Sequence, residues 1–386
     1  MKRTSRPRRS KPASPPGTSP ASAPPFVPPY PPSWVDRLTT AIDRLPGPAW
    51  LSYLLLAIAG IALQLAIQQS TGVYHPGPAI RFHLWTAGYF AYVLAMIYYL
   101  DRSAGAAIRT FRPLLQPAAD GADPGVAGDA YADLRYRLTT LPPRPTLWAS
   151  IAGAVVLALV PLLLIQNPAD RSHSLVPFMV SFGFSPSPAA VAAALLHYFL
   201  SQALLGALIY HTVHQLRLIN HIYAHHTRLN LYRLQPLYAF SIPAALTAGG
   251  LLLFNYAWFA TAPLLLNQPV SRALAVLFSV IAFATFLWPL WGMHRRLVNE
   301  KKRLLQESSS RFEAAVSQLH RRVDGERLTR MDDLNKTLAS LEIEQAALHR
   351  VPTWPWEPGT LRGLVAALLV PILIWVTQTL LQRFLG

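Results

Sequence analysis

Histidine is the residue whose number and spacing first suggest chemistry in this chain. Five of the twelve histidines lie between residues 211 and 226. At about 100° per residue, four of them share one face of a helix, and His197 lies on the same stripe two heptads earlier: His211, His214, His221 and His225. Imidazole is a common metal ligand, and pairs three or four residues apart are within chelating reach. The stripe therefore predicts, as one hypothesis, a metal or haem site at these four residues.

Two other interpretations of the same stripe stay open. The helix can simply extend the preceding apolar segment, with its histidines packed or hydrogen-bonded, or it can form a pH-sensitive surface, because clustered imidazoles titrate near neutral pH. The chain has no cysteine, and no Asp or Glu lies between residues 189 and 235. A mixed-ligand site would therefore need partners from elsewhere, and no cofactor is predicted beyond the metal or haem hypothesis.

Polar residues inside apolar segments form a second candidate site. His197 and Gln202 lie in one such segment and Asn255 in the next. They could line a pathway through a membrane or make hydrogen bonds between helices. The apolar segments contain no Asp, Glu, Lys or Arg. That absence argues against a proton-coupled or sodium-coupled transporter, whereas a channel or carrier for a neutral solute stays open.

Sequence signatures of enzymes are missing. The chain has no nucleophile elbow, no Gly-rich phosphate loop, no dinucleotide fingerprint and no metalloprotease helix motif. No catalytic residue is therefore predicted, and the sequence favours a protein that is not an enzyme.

The elements that must position these residues are long apolar segments. Hydrophobic residues make up 52% of the 386 residues and charged residues only 13%, about half the usual share for a soluble domain. Seven segments reach the roughly 20 residues that a spanning helix needs: 49–69, 83–100, 147–166, 189–210, 237–258, 273–293 and 363–382. The sequence therefore predicts an all-α, polytopic transmembrane bundle of about seven spans.

The distribution of basic residues predicts the orientation. With a cytoplasmic N-terminus, 30 of the 34 Lys and Arg residues face the cytoplasm, and four lie outside: Arg81, Arg171, Arg272 and Arg383. The net charge of +16 is then a topology signal and an attraction to anionic lipid, so no nucleic-acid partner is needed. We expect a protein of the bacterial plasma membrane whose C-terminus lies outside.

Heptad spacing predicts a cytoplasmic projection between the last two spans. Leu305, Phe312 and Leu319 precede the Asp324-Gly325 pair, and a second apolar series follows it. Because Asp-Gly suits a turn, we expect an antiparallel coiled-coil hairpin.

The whole chain then divides into five regions. They are a disordered Pro/Arg-rich tail at 1–33, an interfacial helix at 34–47, spans one to six at 48–293 with a cytoplasmic loop at 101–146 and the His-rich extension at 211–235, the hairpin at 294–351, and span seven at 352–386.

Three short segments resemble a group of uncharacterised bacterial multi-pass membrane proteins. They are Asn230-Leu231-Tyr232, Pro236-Leu237-Tyr238-Ala239-Phe240-Ser241 and Pro352-Thr353-Trp354-Pro355-Trp356-Glu357-Pro358-Gly359-Thr360-Leu361. The resemblance covers the last half of the chain and implies no activity.

The sequence is compatible with three functions. The first is a non-enzymatic scaffold or signalling protein whose hairpin docks a cytoplasmic protein or a second copy of the chain. The others are a transporter or channel for a neutral solute and a His-ligated metal or haem protein.

Overall fold

Helices dominate the computed structural model, which describes residues 26–71, 77, 80–115, 124–159, 179–180, 183–261, 269–325, 331–357, 359–369 and 373. Within these residues the regular elements are helical, and an isolated bridge pairs Leu115 with Thr227. The all-α prediction is confirmed for this part of the chain.

The described residues contain ten α-helices. They are α1 (Trp34–Asp43), α2 (Ala49–Gln69), α3 (Ile80–Phe111), α4 (Pro124–Thr139), α5 (Pro143–Ala152), α6 (Pro188–His225), α7 (Ser241–Thr261), α8 (Pro269–Asp324), α9 (Met331–Arg350) and α10 (Gly359–Leu369). A π-helical segment, Gly153–Leu159, continues α5. One 3₁₀ helix, Arg112–Leu114, follows α3, and another, Gln235–Phe240, precedes α7.

Four helical stretches are long and apolar enough to cross a membrane. They are Ala49–Gln69, Pro188–His225, Gln235–Thr261 and Ala275–Asp324. In α2 only 17% of the apolar window is buried, and Leu55 and Leu63 are 55% and 64% exposed. Large aliphatic side chains on all sides of a helix are unfavourable in water and favourable in lipid. These helices therefore indicate a membrane protein.

The other three predicted spans, 83–100, 147–166 and 363–382, are not among these four stretches. Segment 83–100 lies inside α3, where four tyrosines lower the mean hydropathy: Tyr89, Tyr92, Tyr98 and Tyr99. Segments 147–166 and 363–382 lie partly outside the described residues. The short helix α10 covers the start of the last segment and is apolar.

Three helices continue past the predicted span ends at residues 100, 210 and 293. They end at Phe111, His225 and Asp324. The predicted loop at 101–146 is therefore largely helical, because α3 occupies its start and α4 and α5 occupy its second half. Its centre, 116–123, lies outside the described residues.

Residues that pack against the helices begin before residue 33, the predicted end of the disordered tail. The Tyr30 hydroxyl donates to the carbonyl oxygen of Thr140 at 2.8 Å, and the Tyr136 hydroxyl donates to that of Tyr30 at 2.7 Å. The rings of Phe26 and Tyr30 also contact the Tyr136 ring. Residues 26–33 thus lie against α4, and residues 1–25 lie outside the described part.

Helix α3 is the centre of the bundle. It packs against α2, α6 and α7, while α7 packs against α8. Helix α5 crosses α6 at two facing glycines, Gly153 and Gly206. A Cβ placed on Gly153 would lie 2.7 Å from the Gly206 Cα atom. The two backbones can approach this closely only because neither residue has a side chain.

Replacing Gly206 with Ala should separate α5 from α6, because its methyl group would overlap backbone atoms of Ala149 and Gly153. We expect a loss of about 1–3 kcal/mol in the free energy of unfolding, measured by thermal melting in detergent. Gly249→Ala is the matched control, since among the described residues no atom from outside its own turn of helix lies within 4 Å of its Cβ position. Equal melting temperatures for the two variants would contradict the packing described here.

Candidate functional site

A partly buried carboxylate and a buried imidazole meet at the ends of two predicted spans. Asp101 is the first residue after segment 83–100, and His211 is the first after segment 189–210. The Nε2 atom of His211 lies 2.8 Å from Oδ1 of Asp101, and the His211 side chain is 1% exposed. Helix α3 positions Asp101 because it continues past residue 100. The pair therefore joins α3 to α6 at the point where each helix leaves its predicted span.

A second carboxylate lies close to this pair. Asp36 of α1 accepts hydrogen bonds through Oδ2 from the backbone N–H of Ser33 at 2.8 Å and of Leu141 at 3.0 Å. These contacts tie α1 to the connection between α4 and α5. We call the group of Ser33, Asp36, Asp101, Leu141 and His211 the polar junction.

Burial controls the charge state of the polar junction. Loss of hydration raises the pKa of the Asp101 carboxyl to about 6, although the attraction and hydrogen bond of His211 offset part of the rise. The Asp36 charge raises the pKa of Asp101 further. Burial also raises the pKa of Asp36, and its hydrogen bonds from Ser33 and Leu141 oppose that change. His211 thus contacts one of two neighbouring carboxyls, both of which have a raised pKa.

The other histidines of the stripe have separate roles. His214 Nε2–H donates to the carbonyl oxygen of Arg137 at 3.1 Å, and Gln215 donates to that of Leu138 at 3.3 Å. Both carbonyls belong to the last turn of α4, where a helix has no partners of its own. His214 and Gln215 therefore cap α4 from the side of α6.

His221 and His225 lie at the far end of α6. Their ring centroids are 4.6 Å apart, and the His226 ring lies 5.3 Å from that of His221. At about 1.5 Å per residue, His211 and His221 are separated by about 15 Å along the helix, which is too far for one ion. Among the described residues no group of three or more potential ligands converges. The metal or haem hypothesis gains no geometric support here and stays a prediction.

Two of the three polar residues predicted to lie within the membrane make hydrogen bonds between segments. His197 Nε2–H donates to the carbonyl oxygen of Thr86 at 3.0 Å. Asn255 Nδ2–H donates to the carbonyl oxygen of Ala275 at 3.0 Å and to Oγ of Ser279 at 3.2 Å. Hydrogen bonding between segments therefore explains why His197 and Asn255 lie in apolar segments.

Gln202 differs, because its buried Oε1 has no donor within 3.5 Å among the described residues, although the Tyr198 hydroxyl lies nearby. Five further buried polar atoms on α3 and α6 likewise have no hydrogen-bond partner within the described ranges: Trp85 Nε1, the Tyr89 hydroxyl, Ser201 Oγ, His211 Nδ1 and Thr212 Oγ1. Sequence reasoning did not select Trp85, Tyr89 or Thr212, since aromatic and hydroxyl side chains are common in membrane helices. It also missed the junction of Asp36 with Leu141 and of Asp101 with His211, in which the partners are more than 100 residues apart along the chain.

Comparisons with family models, with characterised proteins and with solved structures give no match for this chain.

Replacing His211 with Leu should leave the Asp101 carboxylate buried without its partner. We expect a loss of roughly 3–5 kcal/mol in the free energy of unfolding at pH 8. The loss should shrink as the pH falls, because protonation removes the buried charge of a carboxyl whose pKa is raised.

Thermal melting in detergent between pH 5 and pH 8 checks this expectation. Asp101→Asn in the His211→Leu background should restore part of the stability at pH 8. His225→Gln, at an exposed position, is the matched control and should melt like the wild type. A His211→Leu cost that is equal at both ends of the pH range would count against the buried pair.

Proposed function

We propose that the chain is a seven-span membrane protein with a cytoplasmic N-terminus, whose hairpin at 294–351 docks a cytoplasmic protein or a second copy of the chain. Four helices long and apolar enough to span a membrane support the membrane part of this proposal. The seven apolar segments and the 30 basic residues on one side support the span count and the orientation.

The carrying observation is the length and exposure of the projection. Helix α8 runs for 56 residues, from Pro269 to Asp324. The 31 residues beyond position 293 extend about 45 Å at 1.5 Å per residue. Helix α9 returns beside it in antiparallel sense, since Lys301 contacts the carbonyl of His349 and Ser308 contacts Glu344. A projection of this length exceeds what a connection between two spans needs.

The facing sides of α8 and α9 are packed, and their outer sides are not. Ser308, Ala315, Leu334 and Leu348 are buried between the helices. Ion pairs on the outer sides, such as Glu300 with Arg303 and Asp332 with Lys336, join residues three or four apart on one helix. Such local pairs keep a surface soluble and contribute little to stability. The coiled-coil description of this hairpin is part of the proposal.

Exposed apolar residues mark where a partner could bind. Val323 is 50% exposed near the tip, and Ile343 of α9 is 71% exposed between two glutamates. Burying such residues against another protein releases water and stabilises the complex.

Shortening the hairpin should abolish partner binding without preventing insertion. The variant replaces residues 309–343 with a short Gly-Ser linker and keeps the contacts of Lys301 with the carbonyls of His349 and Val351. The measurement is affinity purification from solubilised membranes. A protein recovered with the wild type should be lost with the shortened chain.

Single cysteines then locate the contact, because the chain has none of its own. Ile343→Cys should cross-link to the recovered protein, or give a dimer if the partner is a second copy. Asn230→Cys, exposed outside the hairpin, is the matched control and should not cross-link. Retention of every partner by the shortened chain would refute the docking function.

A transporter or channel for a neutral solute is the second candidate. Buried polar atoms of Trp85 and Gln202 that have no hydrogen-bond partner within the described ranges favour it, because a water molecule or a neutral solute could satisfy them. Solute flux into liposomes that contain the purified protein separates this candidate from the first.

A further inference from the structure

A cavity of about 520 Å³ lies where the hairpin meets the last predicted span. Two cationic side chains, Lys301 and Arg362, line it. The rest of the wall is mostly aromatic and aliphatic and includes Tyr238, Trp354, Trp356 and Leu361. The volume is within the usual range for a small-molecule site. This cavity is separate from the polar junction and from the outer sides of the hairpin.

Aromatic stacking fixes one wall of the cavity. The Trp354 ring stacks on the His294 ring at 3.8 Å and on the Trp356 ring at 4.2 Å. His294 Nδ1–H also donates to the carbonyl oxygen of Thr353 at 3.0 Å, and Trp356 packs against Phe286. The segment 351–357 is therefore held against α8, and its indole rings have defined positions.

Lys301 is held at the cavity by two backbone carbonyls. Its Nζ atom donates to the carbonyl oxygens of His349 and Val351, both at 2.8 Å. An ammonium group has three hydrogens, so one is left for a ligand. Carbonyl oxygens do not cancel a positive charge, and the ammonium therefore remains a binding group for an anion.

Arg362 supplies the second positive charge. Its side chain is exposed at the start of α10, and within the described ranges it forms no ion pair. No carboxylate is among the residues that line the cavity. Glu357 lies near enough to Tyr238 to act on its hydroxyl electrostatically, but it does not line the cavity. The lining thus carries two positive charges and no negative charge.

The position of the cavity along the chain matches the depth of lipid headgroups. Arg362 immediately precedes segment 363–382, and Tyr238 is the second residue of segment 237–258. Lys301 follows segment 273–293 by eight residues, and a side chain on a helix leans toward the N-terminus, here back toward the membrane. Trp and Tyr side chains also favour this level of a membrane.

We propose that this cavity binds the phosphate of an anionic phospholipid. Lys301 and Arg362 make charge-assisted hydrogen bonds to the phosphate oxygens, and Trp354 and Trp356 pack against the glycerol and the start of the acyl chains. The apolar side chains beside the two cations favour a lipid over a free phosphate ester. The site rests on the proposed spans and is independent of partner docking by the hairpin.

Lipid binding by the full-length, delipidated chain in detergent tests this site. The probes are short-chain phosphatidylglycerol, phosphatidylcholine with the same acyl chains, and sn-glycerol 3-phosphate, and the readout is a dissociation constant from calorimetric titration. Phosphatidylglycerol should bind at least about tenfold more tightly than either of the others. Its affinity should fall as the salt concentration rises.

Charge-removing variants assign the binding to the cavity. Arg362→Gln should weaken phosphatidylglycerol binding at least about tenfold, and Lys301→Gln should do the same. Lys302→Gln is the matched control, since it removes an equal charge from the next, exposed residue of α8 and should change the affinity less than about twofold.

Arg362→Gln decides the test even if Lys301→Gln disturbs the hairpin, because the Arg362 side chain is exposed. Unchanged affinity in a normally melting Arg362→Gln variant would overturn the proposal. Equal affinity for phosphatidylcholine would also overturn it, and equal affinity for sn-glycerol 3-phosphate would assign the cavity to a soluble phosphate ester instead.

Discussion

The hydrocarbon of a membrane cannot solvate charges or unpaired backbone groups, and this constraint accounts for the arrangement of the chain. Apolar helices satisfy their own backbone, while charged side chains are displaced to the helix ends. The Asp101–His211 contact shows the consequence. Each residue directly follows a predicted span, and together they join α3 and α6 at 2.8 Å. Helices α1 and α4 then pack around this pair through Asp36, His214 and Gln215.

Length, hydropathy and helical period predict much of the fold because these properties are local. The apolar helices α2, α6, α7 and α8 lie where the sequence places them, and α6 does extend past residue 210. The order of residues 26–33 and of much of 101–146 was not predictable in the same way. Those segments are polar or rich in proline, and their structure depends on contacts such as Tyr30 with Thr140.

The candidate site was harder to predict than the fold. Shared angular position on a helix suggested one site for four histidines, but the rise along the axis separates them. His211 binds Asp101, and His214 caps α4. Both partners come from distant segments, so a single sequence without aligned relatives gives no signal for either contact. The cavity beside Lys301 also depends on tertiary stacking of Trp354 with His294 and Trp356.

Side-chain contacts connect the helix pair α8–α9 to the start of the last predicted span. Lys301 holds the end of α9, His294 stacks on Trp354, and the Tyr256 hydroxyl donates to the carbonyl oxygen of Leu368 at 3.0 Å. A partner or lipid that displaces the segment 351–357 would therefore act on α7, α8 and α10 together. This coupling makes the position of the hairpin relative to the membrane the central claim of the account.

Labelling of single cysteines with a membrane-impermeant maleimide tests that claim most directly, since the natural chain contributes no background. Ser340→Cys lies on the exposed side of α9, and Ser70→Cys is exposed at the end of α2. Intact cells should label Ser70→Cys, whereas Ser340→Cys should react only after permeabilisation. Labelling of Ser340→Cys in intact cells, with Ser70→Cys protected, would contradict it.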